Sequence, residues 1–334
     1  MANYTNDMQN TELAEVIDSV DMFELAAKTT AGMSLTDDET AAVEVLDKTF
    51  KEIGKRGCDS NNEIAGFISR VLNEEIYNAP DELLDQIFDR DSIGENDDYY
   101  ATSNPKNTLI AYEAAKGGNV ERSFLDISTL TPTWRNLQIE TDISYADIRR
   151  NGWKTVARIT DYALATFTNK QFAEIFGVIN TLVTSGADNY ITEATTKPTQ
   201  ATMDALALYL NDRGGGVIVG LSKYIQAASK LTGFVSDEMR NEVHRTGRLG
   251  SYDGCEMFPI SSAKKLGDGS LQIPDHALYG ISGKIGTLTT KGEVNVYEDM
   301  NNNKEQIHLM FKDFTFGYAI GTSQLENIVK VAIA

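Results

Sequence analysis

The glycine-rich run at residues 214–220 is the best candidate for nucleotide chemistry in the chain. It reads Gly-Gly-Gly-Val-Ile-Val-Gly. A phosphate-binding loop needs a Lys and a Ser or Thr after its second glycine, whereas Leu221 and Ser222 follow this run. The dinucleotide fingerprint also fails, because the third glycine is displaced. We therefore expect a flexible turn that leads into a short buried strand.

The acidic stretch that begins at Asp89 resembles the start of a calcium-binding loop. Its first and third positions are Asp89 and Asp91, but Ile93 occupies the fifth position and Tyr100 the twelfth. A calcium loop has Asp or Asn at the fifth position and a bidentate Glu at the twelfth. A solvated acidic linker over residues 91–98 is therefore the better interpretation.

The histidines do not predict a metal or catalytic site. His244, His276 and His308 stand about thirty residues apart, and no two of them have metal-ligand spacing. The chain also lacks the sequence patterns of zinc proteases and of serine-hydrolase nucleophiles. We predict that the chain is not an enzyme and has no catalytic residue, cofactor or metal.

The composition predicts a soluble protein with a buried core. Hydrophobic residues make up 41% of the 334 residues, which is ample for a folded core. No run approaches the roughly eighteen apolar residues of a membrane span, and residues 1–20 do not resemble a secretion signal. The two cysteines, Cys58 and Cys255, lie in different predicted elements, so we expect reduced thiols rather than a disulfide.

The negative charge is concentrated in the first third of the chain. Residues 1–100 carry 24 acidic and 7 basic side chains, whereas residues 101–334 carry 25 and 23. Neither part offers the basic stripe that is typical of a nucleic-acid-binding surface. We expect any contact with DNA to be non-specific, and the acidic part to lie away from it.

Short amphipathic helices are predicted in the first hundred residues. Apolar side chains recur at helical spacing over residues 13–23, 64–72 and 80–88. The capping-box pair Thr36 and Glu39 starts another helix, which Gly57 ends.

The rest of the chain alternates between helical and extended patterns. Residues 105–152 favour strands and long loops, and a long helix without proline runs over 153–184. A helix, a buried strand and two helices follow at 201–212, 216–220, 222–231 and 236–244, and mainly strands run to the end. This order is typical of an α+β protein.

The last ninety residues resemble those of tailed-phage major capsid proteins of the HK97-like fold. The similarity is carried by Tyr252-Asp-Gly254 in a turn, by Pro274-Asp275 before a strand, and by closing strands at 308–320 and 326–334. The order of elements before them, from the extended region through the long helix to the helix–strand–helix block, is similar too.

The resemblance implies four parts. Residues 101–152 would be the extended arm and loop, and residues 198–289 the axial domain. Residues 153–197 and 290–334 would form the peripheral domain, which contains the long spine helix and to which the last strands return. Residues 1–100 would be an additional acidic N-terminal helical segment, which we expect to be retained.

The resemblance also implies a structural function. The chain would self-assemble into hexamers and pentamers of an icosahedral phage head around double-stranded DNA, with portal and scaffold or decoration proteins as further partners. It would be found in the virion, and in the host cytoplasm during assembly. Arg149 and Arg150, which lie between Trp134 and Trp153, would contact acidic patches of a neighbouring subunit.

Two alternatives stay open at this point. A bacterial encapsulin shell protein has the same fold and would show the same order of elements. A soluble α/β enzyme with an unrecognised site belongs to a different class, and it would form a small oligomer with a deep polar pocket.

Overall fold

The fold is seen in a computed structural model of the chain. The described residues are 20–57, 63–78, 82–102, 109–114, 116, 119, 121–123, 129–231, 250–263, 265–299 and 305–334. The chain forms two compact units. Unit 1 contains residues 1–79, 135–168 and 290–315, and unit 2 contains residues 80–134, 169–289 and 316–334.

The chain contains both helices and strands, with helices first and mainly strands at the end, in agreement with the α+β prediction. The helices are α1 (Met22–Ala31), α2 (Asp37–Arg56), α3 (Glu63–Asn78), α4 (Glu82–Ile87), α5 (Tyr145–Asn151), α6 (Trp153–Leu182), α7 (Gln200–Asn211) and α8 (Ser222–Ala228), with a closing 3₁₀ helix (Thr322–Asn327). The strands are β1 (Phe88–Ile93), β2 (Ala101–Thr102), β3 (Thr129–Leu130), β4 (Thr133–Ser144), β5 (Tyr190–Glu193), β6 (Val217–Leu221), β7 (Ser251–Tyr252), β8 (Cys255–Ile260), β9 (Ala277–Ile281), β10 (Gly286–Lys291), β11 (Asn295–Asp299), β12 (Gln306–Ile320) and β13 (Ile328–Ile333).

Helix α2 begins and ends as predicted. The Thr36 hydroxyl accepts a hydrogen bond from the Glu39 amide at 3.3 Å, and the Glu39 carboxylate accepts one from the Thr36 amide at 2.8 Å. These reciprocal bonds satisfy two of the amides that a helix start leaves without partners. Gly57 ends the helix with a φ of 60°, a conformation that favours glycine.

Three aromatic rings join distant segments in the core of unit 1. The Trp153 ring lies 6.0 Å from the ring of Phe50 in α2 and 5.7 Å from that of Phe67 in α3, and those two rings are 5.2 Å apart. The indole nitrogen of Trp153 also donates to the Thr29 hydroxyl at 3.3 Å. Aromatic pairs of this kind contribute about 0.5–1.5 kcal/mol each beyond the area they bury. The start of the long helix therefore shares one core with α2 and α3.

Helix α3 is also hydrogen-bonded to the chain just before β11. The Asn73 side chain accepts from the Val294 amide at 2.7 Å and donates to the Val294 carbonyl at 3.0 Å. The Ser69 hydroxyl donates to the same carbonyl at 2.9 Å. Unit 1 is thus built from three stretches of chain that are far apart in sequence.

The predicted N-terminal segment 1–100 is divided between the two units. Residues up to 79 lie in unit 1 and residues from 80 onward in unit 2. The predicted linker at 91–98 begins inside strand β1, which ends at Ile93. Most of the predicted helix at 13–23 lies outside the described residues, and α1 starts at Met22 with Asp21 as its N-cap.

The predicted extended region 101–152 contains a helix near its end, which corrects the prediction for Tyr145–Asn151. The Ser144 hydroxyl caps α5 by accepting from the Ala146 amide at 3.1 Å, and Gly152 ends the helix with a φ of 50°. Tyr145 and Ile148 are buried at helical spacing. Strand β4 confirms extended structure for Leu137 and Ile139, whereas Val120, Phe124 and Ile127 lie outside the described residues.

Unit 2 contains a six-stranded sheet that is covered on both faces. Its order is β5-β13-β9-β6-β8-β7. Every residue of β6 and β9 is buried, as expected of strands packed on two sides. The Tyr279 ring packs on Phe176 of α6, with centroids 5.7 Å apart, whereas a side chain at the next residue, Gly280, would meet Leu206 of α7. The two helices therefore cover opposite faces.

The pairing of strand β13 crosses the predicted boundary between the peripheral and axial domains. We expected the last strands to pack with residues 153–197. Strand β13 pairs in parallel with β5, which belongs to that group, but also antiparallel with β9, which belongs to the predicted axial domain 198–289. One sheet thus contains residues of both predicted domains. The axial and peripheral assignments stay predictions.

The second sheet is organised around the fifteen-residue strand β12. Its order is β1-β10-β12-β11, and β4 pairs with β12. Burial alternates along β12 and shifts by one residue at Asp313, which has a φ of 69°. Such a shift is the mark of a β-bulge. Further along β12, Gly317 lets the Trp134 ring lie against the backbone, because a Cβ there would come within 2.7 Å of the ring.

Candidate subunit interface

The predicted extended loop has a paired base. Strands β2 and β3 are antiparallel, with Ala101 opposite Leu130 and Thr102 opposite Thr129. The pairing places Thr102 and Thr129, which precede and follow segment 103–128, opposite each other. A segment anchored at both ends of its base can present side chains to another molecule at a small cost in chain entropy.

Apolar side chains are exposed within this segment. Leu109 is 60% exposed, Ile110 59% and Tyr112 43%. A single exposed apolar residue is ordinary on a protein surface, but three within four consecutive positions form a patch of the kind that marks an interaction site. These residues are not among the predicted contact residues, although the adjacent Leu109 and Ile110 in a polar stretch are a signal visible in the sequence.

Arg149 and Arg150 lie at the C-terminal end of α5, and both are exposed. Cations at this end of a helix are favoured by its dipole. Helix α5 lies close against α2 at Gly54, where a Cβ would come within 2.8 Å of the Arg149 amide nitrogen. The glycine therefore sets how near the arginines lie to the basic end of α2. The role of Arg149 and Arg150 as subunit contacts stays a prediction.

A cavity of about 520 Å³ lies beside Arg149 in unit 1. Its lining is Gly54, Lys55, Arg56, Gly57, Ser144, Tyr145, Ala146, Arg149 and Glu305. Arg56 is bound by Glu63 through two bonds of 2.8 and 2.6 Å, which raise the pKa of the guanidinium. The lining is therefore cationic, with Lys55 and Arg149 as its remaining basic groups. We name it the cationic cavity.

The two motifs behind the capsid resemblance are structural elements of unit 2. In the first, Asp253 and Gly254 have φ values of 46° and 83°, which form the tight turn between β7 and β8. The buried Tyr252 before this turn donates its hydroxyl to the Asp204 carboxylate at 2.6 Å. Both burial and this hydrogen bond raise the pKa of the Tyr252 hydroxyl.

In the second motif, Asp275 joins the start of β9 to α8. Its carboxylate accepts from Lys223 at 2.6 Å, from the Tyr224 hydroxyl at 2.8 Å and from the His276 amide at 2.7 Å. Burial raises the pKa of Asp275, but these bonds outweigh burial and lower it to about 2. The loop is thereby fixed to the helix that follows β6.

Glu193 is a buried carboxylate of unit 2 with a full set of hydrogen-bond partners. It accepts hydrogen bonds from Thr195, Thr199 and Thr202, at distances between 2.5 and 3.0 Å. Burial raises the pKa of Glu193, and these donors together lower it to about 2. A carboxylate that stays ionised and is bound on all sides fixes β5 to the start of α7 and has no capacity left for a ligand.

The residues considered for chemistry are not brought together. His276 lies in unit 2 beside the Ala334 carbonyl, at 3.2 Å, and His308 lies in unit 1 at 2.7 Å from Asp142. His244 and Cys58 lie outside the described residues. In the part of the chain that the structure describes, no group of three His, Cys, Asp or Glu residues could hold a metal ion.

The glycine-rich run and the acidic stretch have backbone roles. Gly214 and Gly215 have φ values of 95° and 94° and lead into the buried strand β6, as predicted. In the acidic stretch, the Gly94 amide donates to the Asp97 carboxylate and the Asp97 amide to the Gly94 carbonyl. Among the described helices, none is long and apolar enough to cross a bilayer.

Comparison with known proteins identifies the family. The model of one family, described as "SPbeta prophage-derived putative capsid protein YonB", matches residues 12–324. The comparison with curated proteins finds no match.

Solved capsid structures show the fold. The capsid of a native GTA particle has a TM-score of 0.53 at 12% identity, with 80% of this chain and 99% of that chain covered. The capsid of an empty GTA particle gives 0.51 at 14%, with the same coverage, and the capsid of cyanophage P-SCSP1u gives 0.51 at 9%, with 75% and 88% covered. The predicted HK97-like fold is confirmed. Because the family match spans most of its length, the chain belongs to the family of the SPbeta prophage-derived capsid protein YonB and has the fold of phage major capsid proteins.

Proposed function

We propose that copies of this protein assemble into the hexamers and pentamers of an icosahedral phage head that encloses double-stranded DNA. The observation that carries the proposal is the apolar patch Leu109, Ile110 and Tyr112, exposed beyond the paired base of β2 and β3 in a chain of a capsid family. An exposed patch that meets a different surface of the next copy gives a head-to-tail contact, and such contacts close into rings.

The segment between β2 and β3 is the part that we propose contacts the neighbouring subunit. Burial of a Leu or Ile side chain in a neighbour contributes about 1.5–3 kcal/mol. A few such contacts per subunit, repeated around the shell, give a stable particle because assembly raises their effective concentration. Arg149 and Arg150 are proposed as additional contacts between subunits.

Further partners complete the proposal. A portal protein would occupy one vertex, and scaffold or decoration proteins would bind the shell transiently or from outside. DNA would be held by enclosure rather than by a dedicated binding surface. Assembly would take place in the host cytoplasm.

The acidic N-terminal segment is proposed to be retained in the mature particle. The aromatic cluster of Phe50, Phe67 and Trp153 supports this, because removal of α2 and α3 would expose the buried start of α6. Mass spectrometry of subunits from mature particles tests it. A mature N-terminus near residue 100 would contradict retention.

Electron microscopy of the purified protein tests the assembly function. We expect shells from the wild type, and only small soluble species from a variant with Leu109→Asp and Ile110→Asp, because charges cannot enter an apolar contact. Met33→Asp is the control, since Met33 is 64% exposed outside the segment. A wild type that stays monomeric under every assembly condition contradicts the proposal. DNA-filled shells from infected or induced cells would exclude an encapsulin-type compartment.

A further inference from the structure

The cationic cavity has basic groups that the fold itself does not use. Arg56 is bound by Glu63, but Lys55 and Arg149 are exposed on the lining, and Arg150 follows directly. Within the described part of the chain, Arg56 is paired with Glu63, whereas Arg149 and Arg150 form no ion pair. A concave site with free cations fits a small group of carboxylates.

A compact acidic turn is exposed in unit 2 of the same chain. Glu95, Asp97 and Asp98 are all exposed, and no Lys or Arg occurs between Asp91 and Tyr100. The backbone of the turn is fixed, because the Asp97 amide donates to the Gly94 carbonyl at 3.2 Å and the Gly94 amide to the Asp97 carboxylate at 3.1 Å. We name residues 94–98 the acidic turn.

We propose that the acidic turn of one copy docks into the cationic cavity of the neighbouring copy within a ring. The inference rests on the proposed function and names a pair of surfaces for it. Each copy offers one acidic turn and one cationic cavity, so the contact is head-to-tail and can continue from copy to copy until the ring closes. Opposite charges across such a contact guide the approach and fix the register.

A second copy fits the cavity better than nucleic acid does. The basic groups line a concavity that also contains Glu305, whereas a DNA-binding surface follows the phosphate backbone with a continuous basic stripe. Two internal hydrogen bonds already hold the turn, and this reduces the conformational entropy that docking would cost.

Charge reversal on either side tests the contact. Arg149→Glu with Arg150→Glu reverses the charge on the α5 side of the cavity, and Glu95→Lys with Asp98→Lys reverses the charge of the turn and leaves Asp97 to close it. We expect each variant alone to form at least tenfold fewer shells than the wild type. Lys197→Glu with Lys230→Glu is the matched control, because both lysines are exposed elsewhere and the change in net charge equals that of the arginine variant.

A mixture of the two variants gives a sharper test. In an equal mixture, the altered cavity of the arginine variant matches the altered turn of the other variant. The wild-type cavity of that other variant matches the wild-type turn of the arginine variant. The two variants must therefore alternate around a ring. A ring of six can alternate, but a ring of five cannot. We expect hexamers or hexameric sheets without closed shells. One chain with all four substitutions should regain closed shells, because every contact is then matched.

Several results would overturn the inference. One is normal shells from the arginine variant, and another is a mixture that assembles no better than its parts. A third is normal shells with less DNA, which would assign the cavity to nucleic acid. In each case wild-type shells would leave the proposed function intact, whereas a wild type without shells would contradict both. Circular dichroism checks that the variants fold. If the charge-reversed arginine variant does not fold, Arg149→Gln with Arg150→Gln takes its place, and we expect it to form shells in an amount between those of the wild type and of the charge-reversed turn variant.

Discussion

The two units of this capsid protein use different kinds of core. In unit 1, aromatic rings join helices α2 and α3 to the start of α6, so its stability depends on a few large apolar groups. In unit 2, helices cover both faces of a sheet, and a buried carboxylate, Glu193, joins β5 to α7 through charged hydrogen bonds. We therefore expect the stability of unit 1 to be sensitive to loss of side-chain volume, and that of unit 2 to loss of charge and to pH.

The largest effect is expected from Trp153→Ala in unit 1. The substitution removes two aromatic contacts and the bond to Thr29, and we expect it to lower the free energy of unfolding by about 3–5 kcal/mol. Urea denaturation followed by circular dichroism measures the loss. Tyr162→Ala on the same helix is the control, because Tyr162 is 58% exposed. Equal losses from the two variants would contradict an aromatic core in unit 1.

A smaller effect is expected from Glu193→Gln in unit 2. The amide removes the charge and places donors against threonine hydroxyls that are themselves donors, so we expect a loss of about 1–3 kcal/mol. Glu256→Gln is the control, because Glu256 lies exposed on β8. A loss no greater than that of the control would show that the carboxylate is not needed.

The Glu193 variant should also change the acid sensitivity of the protein. The pKa of Glu193 is about 2 in the folded protein, against 4.5 for the unfolded group. Because the folded pKa is lowered, the stabilisation is fully present above pH 4.5 and is lost as the pH falls toward 2. We expect the stability difference between wild type and variant to shrink over this range. A difference that is constant with pH would assign the effect to packing.

The smallest effect is expected from Thr36→Ala at the start of α2. The change removes the hydroxyl that accepts from the Glu39 amide, and we expect a loss of about 0.5–2 kcal/mol. Thr36→Ser keeps the hydroxyl and should restore most of it. Thermal unfolding separates the variants, and hydrogen exchange should place the change in α2 of unit 1. Faster exchange in the sheet of unit 2 would contradict an effect confined to α2.

Local signals in the sequence predicted single elements well. The capping-box pair Thr36 and Glu39, the apolar periodicity from Trp153 onward and the buried run at Val217 all gave elements that the structure contains. Helix α5 was missed because its seven residues hold only Tyr145 and Ile148 as buried side chains, too few for a period. The last strand was predicted as a strand, but its pairing with β9 depends on contacts that no local pattern contains.

The candidate interface shows the same limit. The arginine pair at 149 and 150 was visible as a pair of charges, but the cationic cavity depends on α2 approaching α5 at Gly54, which only the folded chain reveals. The apolar patch at Leu109 and Ile110 could have been noticed from composition alone. Its exposure could not, because a sequence does not say which apolar residues a fold leaves uncovered.

The placement of the two tryptophans has a practical consequence. The chain has only Trp134 and Trp153, and each compact unit holds one of them. Replacing either ring with phenylalanine leaves a chain with a single indole fluorophore. Emission from Trp153 then reports on its surroundings in unit 1, and emission from Trp134 reports on its surroundings in unit 2. The protein thus carries one intrinsic fluorescent probe in each unit, and neither probe needs a label.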